Sequence, residues 1–240
     1  MPRAAAILAV GHGLGDGTEA LTSLVAQIGE TLLANSGEWR VRRLSPLAGE
    51  RDGADRASLK RHVAELGEAD VDVIVLALAG IVEMHADEPC LVTGPDAKRF
   101  PEDATLPLTW IRDRLRTCRA DRVVVVASLD GPADDNDWLD LLGTGRARHV
   151  VTTERSNGRA LALVALLDGL RGAAIDPKTG TVTLRSLGEH LARVVPRARL
   201  QLSEESETLA SSPPLAGPWD ARLTSRSGPR VIVEEDLVGT

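Results

Sequence analysis

Tyrosine is absent from this chain of 240 residues, phenylalanine occurs once, and aromatics make up only 2% of the whole. Ala, Val and Leu must therefore fill the core. At 43% hydrophobic residues there is enough apolar material for one large domain, or for a domain plus a tail. Cysteine is also scarce, with Cys90 and Cys118 the two present. That argues against a disulfide scaffold and suits a reducing cytosol, so a cytoplasmic location is expected. No run approaches the roughly 18 apolar residues that a membrane-spanning helix needs, so no membrane partner is expected. The apolar start Ala4–Val10 stops at Gly11-His12-Gly13 without a convincing cleavage site, and reads as a first strand rather than a signal peptide. Lysine is confined to Lys60, Lys98 and Lys178, an arginine bias of the kind that GC-rich bacterial coding produces. No long basic run stands out, and the net charge is −7. Nucleic acid is thereby excluded as an expected partner, because phosphate contacts need a basic face.

Several site types are missing as well. No Cys/His cluster has metal-ligand spacing. The acidic group Asp130, Asp134, Asp135, Asp137 and Asp140 lacks EF-hand spacing and reads as a solvated loop. No metal and no cofactor is expected. The loop Gly11-His12-Gly13-Leu14-Gly15-Asp16-Gly17 follows a strand and precedes a helix, as a phosphate-binding loop would. It does not fit G-x-G-x-x-G in either frame, lacks G-K-[ST], and its Asp16 and nearby Glu19 would repel phosphate. A tight turn is expected there. No repeat with a period of 20–50 residues is present.

Alternating elements are what the chain does have. Strands are expected at Ala4–Val10, Trp39–Leu44, Val71–Ala79, Arg122–Ala127 and His149–Thr153, on their aliphatic and β-branched runs. Helices are expected at Thr18–Leu33, at a segment capped by Ser58 and closed by Gly67, and at Leu108–Thr117, Trp138–Leu142, Gly158–Leu170 and Leu184–Val195. Gly80–Pro107 reads as mostly loop around a short strand at Cys90–Thr93, and Asp176–Gly180 as a turn. Residues 1–214 form the expected domain, and 215–240 a tail with a candidate strand at Val231–Val233. Strands alternating with helices predict a mostly parallel sheet covered on both faces, with any site at the carboxyl ends of its strands.

Two strand ends carry the chemical argument: Val71 to Ala79 followed by Gly80-Ile81-Val82, and Arg122 to Ala127 followed by Ser128-Leu129-Asp130-Gly131. Between them lie Glu88-Pro89-Cys90-Leu91-Val92 and Asp96, and then the helix beginning near Leu108. In this order and spacing the chain resembles the caspase-like domains of bacteria, relatives of metacaspases and caspases. In that family the first strand ends in Ser/Ala-Gly-His-Gly and the second in a motif carrying the nucleophilic cysteine. Ala79-Gly80, Leu91-Val92, Asp96, Ala127 and Gly131 match the frame. Ile81 precedes Ser128 by 47 residues, against about 50 between the family's histidine and its nucleophile. Leu161–Gly172 and Gly180–Leu184 resemble later family segments, so the resemblance covers roughly residues 4 to 214. It implies an α/β fold, a caspase-like three-layer sandwich.

The same frame implies a lost catalytic pair. The histidine position is Ile81, the cysteine position Ser128, and the acidic position that helps select basic substrate residues is Val126. Ile81 cannot accept a proton, and a serine hydroxyl without a base is a weak nucleophile. The expected function is therefore a pseudoprotease that binds or regulates a protein or peptide partner. Signalling and defence systems are the setting that the resemblance implies. The expected cleft is lined by Ile81, Val82, Ser128, Leu129 and Asp130. One alternative is an active endopeptidase in which His12 or His85 serves Ser128 as a relocated base. Another is a small-ligand-binding α/β domain using the Gly11–Gly17 loop. Composition does not choose between monomer and dimer.

Overall fold

The computed structural model describes residues 4–15, 17–36, 39–46, 54–131, 141–142, 149–154, 160–178, 180–195 and 199–202. Of the expected Trp138–Leu142 helix, Leu141 and Leu142 fall within them and the rest lies outside. So do the acidic residues Asp134, Asp135, Asp137 and Asp140, the tail 215–240 and the Val231–Val233 strand.

Ten strands are described: β1 Ala4–Val10, β2 Trp39–Leu44, β3 Val73–His85, β4 Glu88–Val92, β5 Thr105–Pro107, β6 Arg122–Asp130, β7 His149–Glu154, β8 Ile175–Asp176, β9 Thr181–Val182 and β10 Arg199–Leu202. The main sheet runs β10-β7-β6-β3-β1-β2, with β4 joining β3, and β5 joining β4. The pairs β2–β1, β1–β3, β3–β6 and β6–β7 are parallel, while β10 closes one end antiparallel to β7. Buried parallel strands read as unbroken aliphatic runs because both faces are covered; all seven residues of β1 are buried.

Strand alternation divides the core into two layers. Ala6, Leu8, Val75, Ala77, Val124 and Val126 face α1 (Gly17–Ser36), α5 (Leu161–Asp168) and α6 (Leu184–Val194). Ile7, Ile74, Leu76, Leu78, Val123 and Val125 face α2 (Arg56–Glu68) and α4 (Leu108–Arg116). The short α3, Pro101–Ala104, precedes β5. The result is the expected helix–sheet–helix sandwich. No helix among the described residues is long and apolar enough to cross a membrane.

Several boundaries differ from expectation. The cap of α2 is Asp55, whose carboxylate accepts from Ser58 N at 2.9 Å and from Ser58 Oγ at 2.8 Å; Ser58 is the third helical residue, not the cap. Gly80–Pro107 is not mostly loop. β3 runs on through Gly80 to His85 and folds back as β4, which pairs with β5. Gly80 ends nothing: its missing side chain admits Leu91, whose Cδ1 would stand 2.6 Å from a Cβ there. The connection between β3 and β4 is the two-residue turn Ala86-Asp87, with φ of 49° and 60°, a left-handed pair usually supplied by Asn-Gly. β6 also outruns its expected end at Ala127, continuing to Asp130. α5 passes into a π-helical turn at Gly169–Ala173. The expected turn at Asp176–Gly180 is the bend of the β8–β9 hairpin.

α6 is held to that π-helical turn by a buried histidine. His190 is 5% exposed, and a Cβ at Gly169 would lie 3.2 Å from its Cδ2. Burial lowers its pKa below the ordinary 6.5; the Arg193 cation adds to the effect, and Asp168 opposes it. A depressed base is neutral in the fold where it is already protonated in the unfolded chain. Stability is therefore full above about 6.5 and declines as pH falls below it. Urea midpoints measured from about pH 8 to about pH 5 should fall, and His190→Gln should flatten part of that slope. The remainder belongs to other groups, among them His12, whose pKa burial also lowers. An unchanged slope in His190→Gln would remove His190 from this account.

Candidate functional site

The expected site sits on β3 and β6, neighbours at the centre of the sheet. Their register pairs Ala79 with Ser128, Gly80 with Leu129 and Ile81 with Asp130. On its other side β6 pairs with β7, with Ser128 opposite Thr153. The positions expected at strand ends thus lie inside a continuous ladder.

Ser128 follows Val126 on the α1 face, in register with Ala79 of the same core layer. It is 0% exposed, and its Oγ has no hydrogen-bond partner among the described residues. Val126 is equally buried. Ile81 is half-buried and packs on the α1-face core and on a small cluster of Val92, Ala97 and Ala104. The β1–α1 loop comes close over it: a Cβ at Gly13 would lie 3.1 Å from Ile81 Cδ1. Val82 and Leu129 belong to the opposite core layer, against α2 and α4, at 1% and 0% exposure. Asp130 is half-buried at the end of β6. The five residues expected to line one cleft therefore do not do so. Extended backbone sends alternate side chains to opposite faces, which separates Val82 and Leu129 from Ile81 and Ser128.

The two substitute histidines stand elsewhere. His12 is half-buried just beyond β1 and its backbone N–H donates to Val92 O at 3.1 Å. Burial lowers its pKa, and the charge acting against that shift is Asp55, at the start of α2; α2 packs on the sheet face opposite Ser128. His85 ends β3, with Nε2 3.6 Å from Glu83 Oε2. It is six residues beyond Ala79, the neighbour of Ser128, or about 20 Å along the strand. Neither forms a hydrogen bond to Ser128.

Other chemical groups are equally closed off. Cys90 and Cys118 are buried, and neither is in a disulfide. Burial raises the Cys90 pKa despite a hydrogen bond with Thr105, so it lacks the thiolate character of a nucleophile. No group of three or more His, Cys, Asp or Glu among the described residues could hold a metal ion. In the glycine loop, Gly11 N donates to Ala79 O, Gly17 N to Leu14 O and Thr18 N to Gly15 O. With His12 N on Val92 O, four N–H groups that an anion would need are already engaged. Gly13 and Gly15 adopt φ of 84° and 57°, the tight turn that the spacing predicts.

Sequence reasoning missed the continuation of both strands. The signal was present: Val82 and Leu129 extend the apolar alternation beyond Gly80 and Ser128. It was masked by reading glycine and serine as strand terminators.

No protein-family model matches the sequence, and no curated protein does. Solved structures do match. The crystal structure of the Drosophila initiator caspase Dronc superposes with a TM-score of 0.53 at 7% identity, over 84% of this chain and 80% of that one. Caspase-1 from Spodoptera frugiperda gives a TM-score of 0.46 at 14% identity, over 81% and 77%. At such identities the likeness concerns architecture alone, and with the strand order and the two helical layers described above, this chain has a caspase-like fold.

Proposed function

We propose that this chain is a caspase-like domain that has lost peptide cleavage and acts by binding, as a pseudoprotease. The observation that carries the proposal is Ser128, at the position where the resemblance places the nucleophile. It is fully buried between two paired strands, and no base reaches its Oγ among the described residues. Activating a hydroxyl requires a general base within hydrogen-bond reach and a path for the substrate carbonyl. Ile81, at the position of the family's base, has no proton-accepting atom. The partner on this reading is a protein or peptide, held elsewhere than in a cleft between Ile81 and Leu129.

Quenched-fluorescence peptide libraries incubated with the full chain should show no turnover above buffer. The double variant Ile81→His, Ser128→Cys should stay inactive too, because the new thiol would remain inside the sheet. Turnover by the unmodified chain that Ser128→Ala abolishes would establish the active-endopeptidase alternative instead.

A further inference from the structure

β2 ends the strand order, and among the described residues it pairs with β1 alone. Its terminal residues are anchored, with Trp39 at 7% and Leu44 at 0% exposure. Arg40, Arg42 and Arg43 between them are exposed. The outer edge of such a strand presents unpaired N–H and C=O groups, a template for a further strand.

Charge specifies what this edge can accept. The whole chain carries −7, yet β2 has three arginines in six residues and no acid. Arg43 lies 3.9 Å from Glu30, whereas Arg40 and Arg42 have no ion-pair partner among the described residues. Register places Arg40 beside Ala5 and Arg42 beside Ile7, on the α2 face of the sheet. There they border a shallow depression also lined by Ala5, Ile7, His62, Glu65, Leu66 and Ala69. Side chains two apart on a strand stand about 7 Å from each other. Carboxylates at alternate positions of an added strand have the same spacing, and guanidinium groups pair with them in fork geometry. A second copy of β2 would set arginine against arginine, which like-charge repulsion opposes.

We propose that the outer edge of β2 docks an extended acidic peptide segment of a partner protein, added to the sheet with carboxylates over Arg40 and Arg42. Strand addition of this kind takes affinity from main-chain hydrogen bonds and selectivity from alternate side chains. The docking site stands whether or not Ser128 reacts, since it lies at the sheet's edge and involves none of the same residues.

The probe is a fluorescent synthetic heptapeptide alternating glutamate with valine, titrated into the full chain and read by anisotropy. A matched peptide with lysine for glutamate is the control. The glutamate peptide should bind and the lysine peptide should not, with affinity falling as salt rises. The variant Arg40→Glu, Arg42→Glu should weaken glutamate-peptide binding by about tenfold, the size expected when two exposed ion pairs become repulsions, and should now favour the lysine peptide. Backbone amides of β2 should gain hydrogen-exchange protection on binding. Equal binding of the two peptides, no binding of either, or binding indifferent to the charge reversal would overturn the proposal. Protection of β2 amides that grows with protein concentration in the absence of peptide would overturn it too, by assigning the edge to a second copy.

Discussion

Ser128→Ala is expected to leave the fold intact and raise its stability by about 1 kcal/mol, and Ser128→Asp to lower it by about 3 kcal/mol or more. A buried hydroxyl without a partner carries its desolvation cost with no hydrogen bond in return, roughly 1–3 kcal/mol. Ser128 Oγ is in that condition among the described residues. Alanine removes the cost and leaves a gap of only one oxygen, which takes back part of the gain. Aspartate places a carboxylate at 0% exposure between β3 and β7. The group must lose its hydration or take up a proton, and either is expensive. Urea unfolding of the three proteins measures both differences. An aspartate tolerated within about 0.5 kcal/mol, the ordinary range for a surface change, would mean that solvent reaches this position. The peptidase alternative would then regain ground.

Gly11→Ala should cost about 3 kcal/mol through a single methyl group. At this point the end of β1 is fastened to two strands. Gly11 N donates to Ala79 O at 2.7 Å, and His12 N to Val92 O at 3.1 Å. A Cβ on Gly11 would lie 2.7 Å from that same Val92 O and 3.4 Å from Gly80 Cα. Both obstacles are backbone, so no rotamer change relieves the contact. Overpacking of this kind costs about 1–3 kcal/mol, and a hydrogen bond stretched by the displacement about 1 more. Gly67→Ala is the internal control. It lies within α2, where a Cβ meets nothing nearer than Arg114 O at 3.6 Å, and alanine should stabilise the helix by about 0.5–1 kcal/mol. Thermal or urea unfolding of the two variants should move in opposite directions. A Gly11→Ala protein as stable as the parent would show that β1, β3 and β4 are not packed this closely.

The legible part of the fold was the part with strong periodicity. β1 and the first half of β3 are aliphatic runs closed on both faces, and α1 shows its stripe of Leu21, Leu24, Val25, Ile28 and Leu32. The resemblance put Ile81 and Ser128 just beyond the ends of two strands; those strands are neighbours, but they run on through both residues. The rest was obscured where one residue type has two structural uses. Gly80 can end a strand or make room for Leu91, and only the tertiary packing of β4 decides. Ser58 can cap a helix or, as the third helical residue, receive the cap of Asp55. The three-residue β5 and the four-residue β10 are too short to carry a period of their own. In the candidate site, sequence gave the positions in order but not their faces. Once Gly80–Val82 and Ser128–Asp130 are extended rather than looped, alternation alone parts Val82 and Leu129 from Ile81 and Ser128.

The unbroken ladder from Ala79–Ser128 to Ile81–Asp130 also bears on how this sequence can drift. In a loop, a histidine and a cysteine can be lost and regained one codon at a time. On the reading proposed above, the two positions now belong to paired strands, with Ser128 fully buried and Ile81 half-buried. On that reading, a gain of peptidase chemistry here would have to open paired backbone before any new side chain could meet a substrate, so the intermediate sequences would lose stability first. Such a position behaves as a ratchet: substitutions that fill the interior accumulate easily, and reversals are opposed by the fold itself.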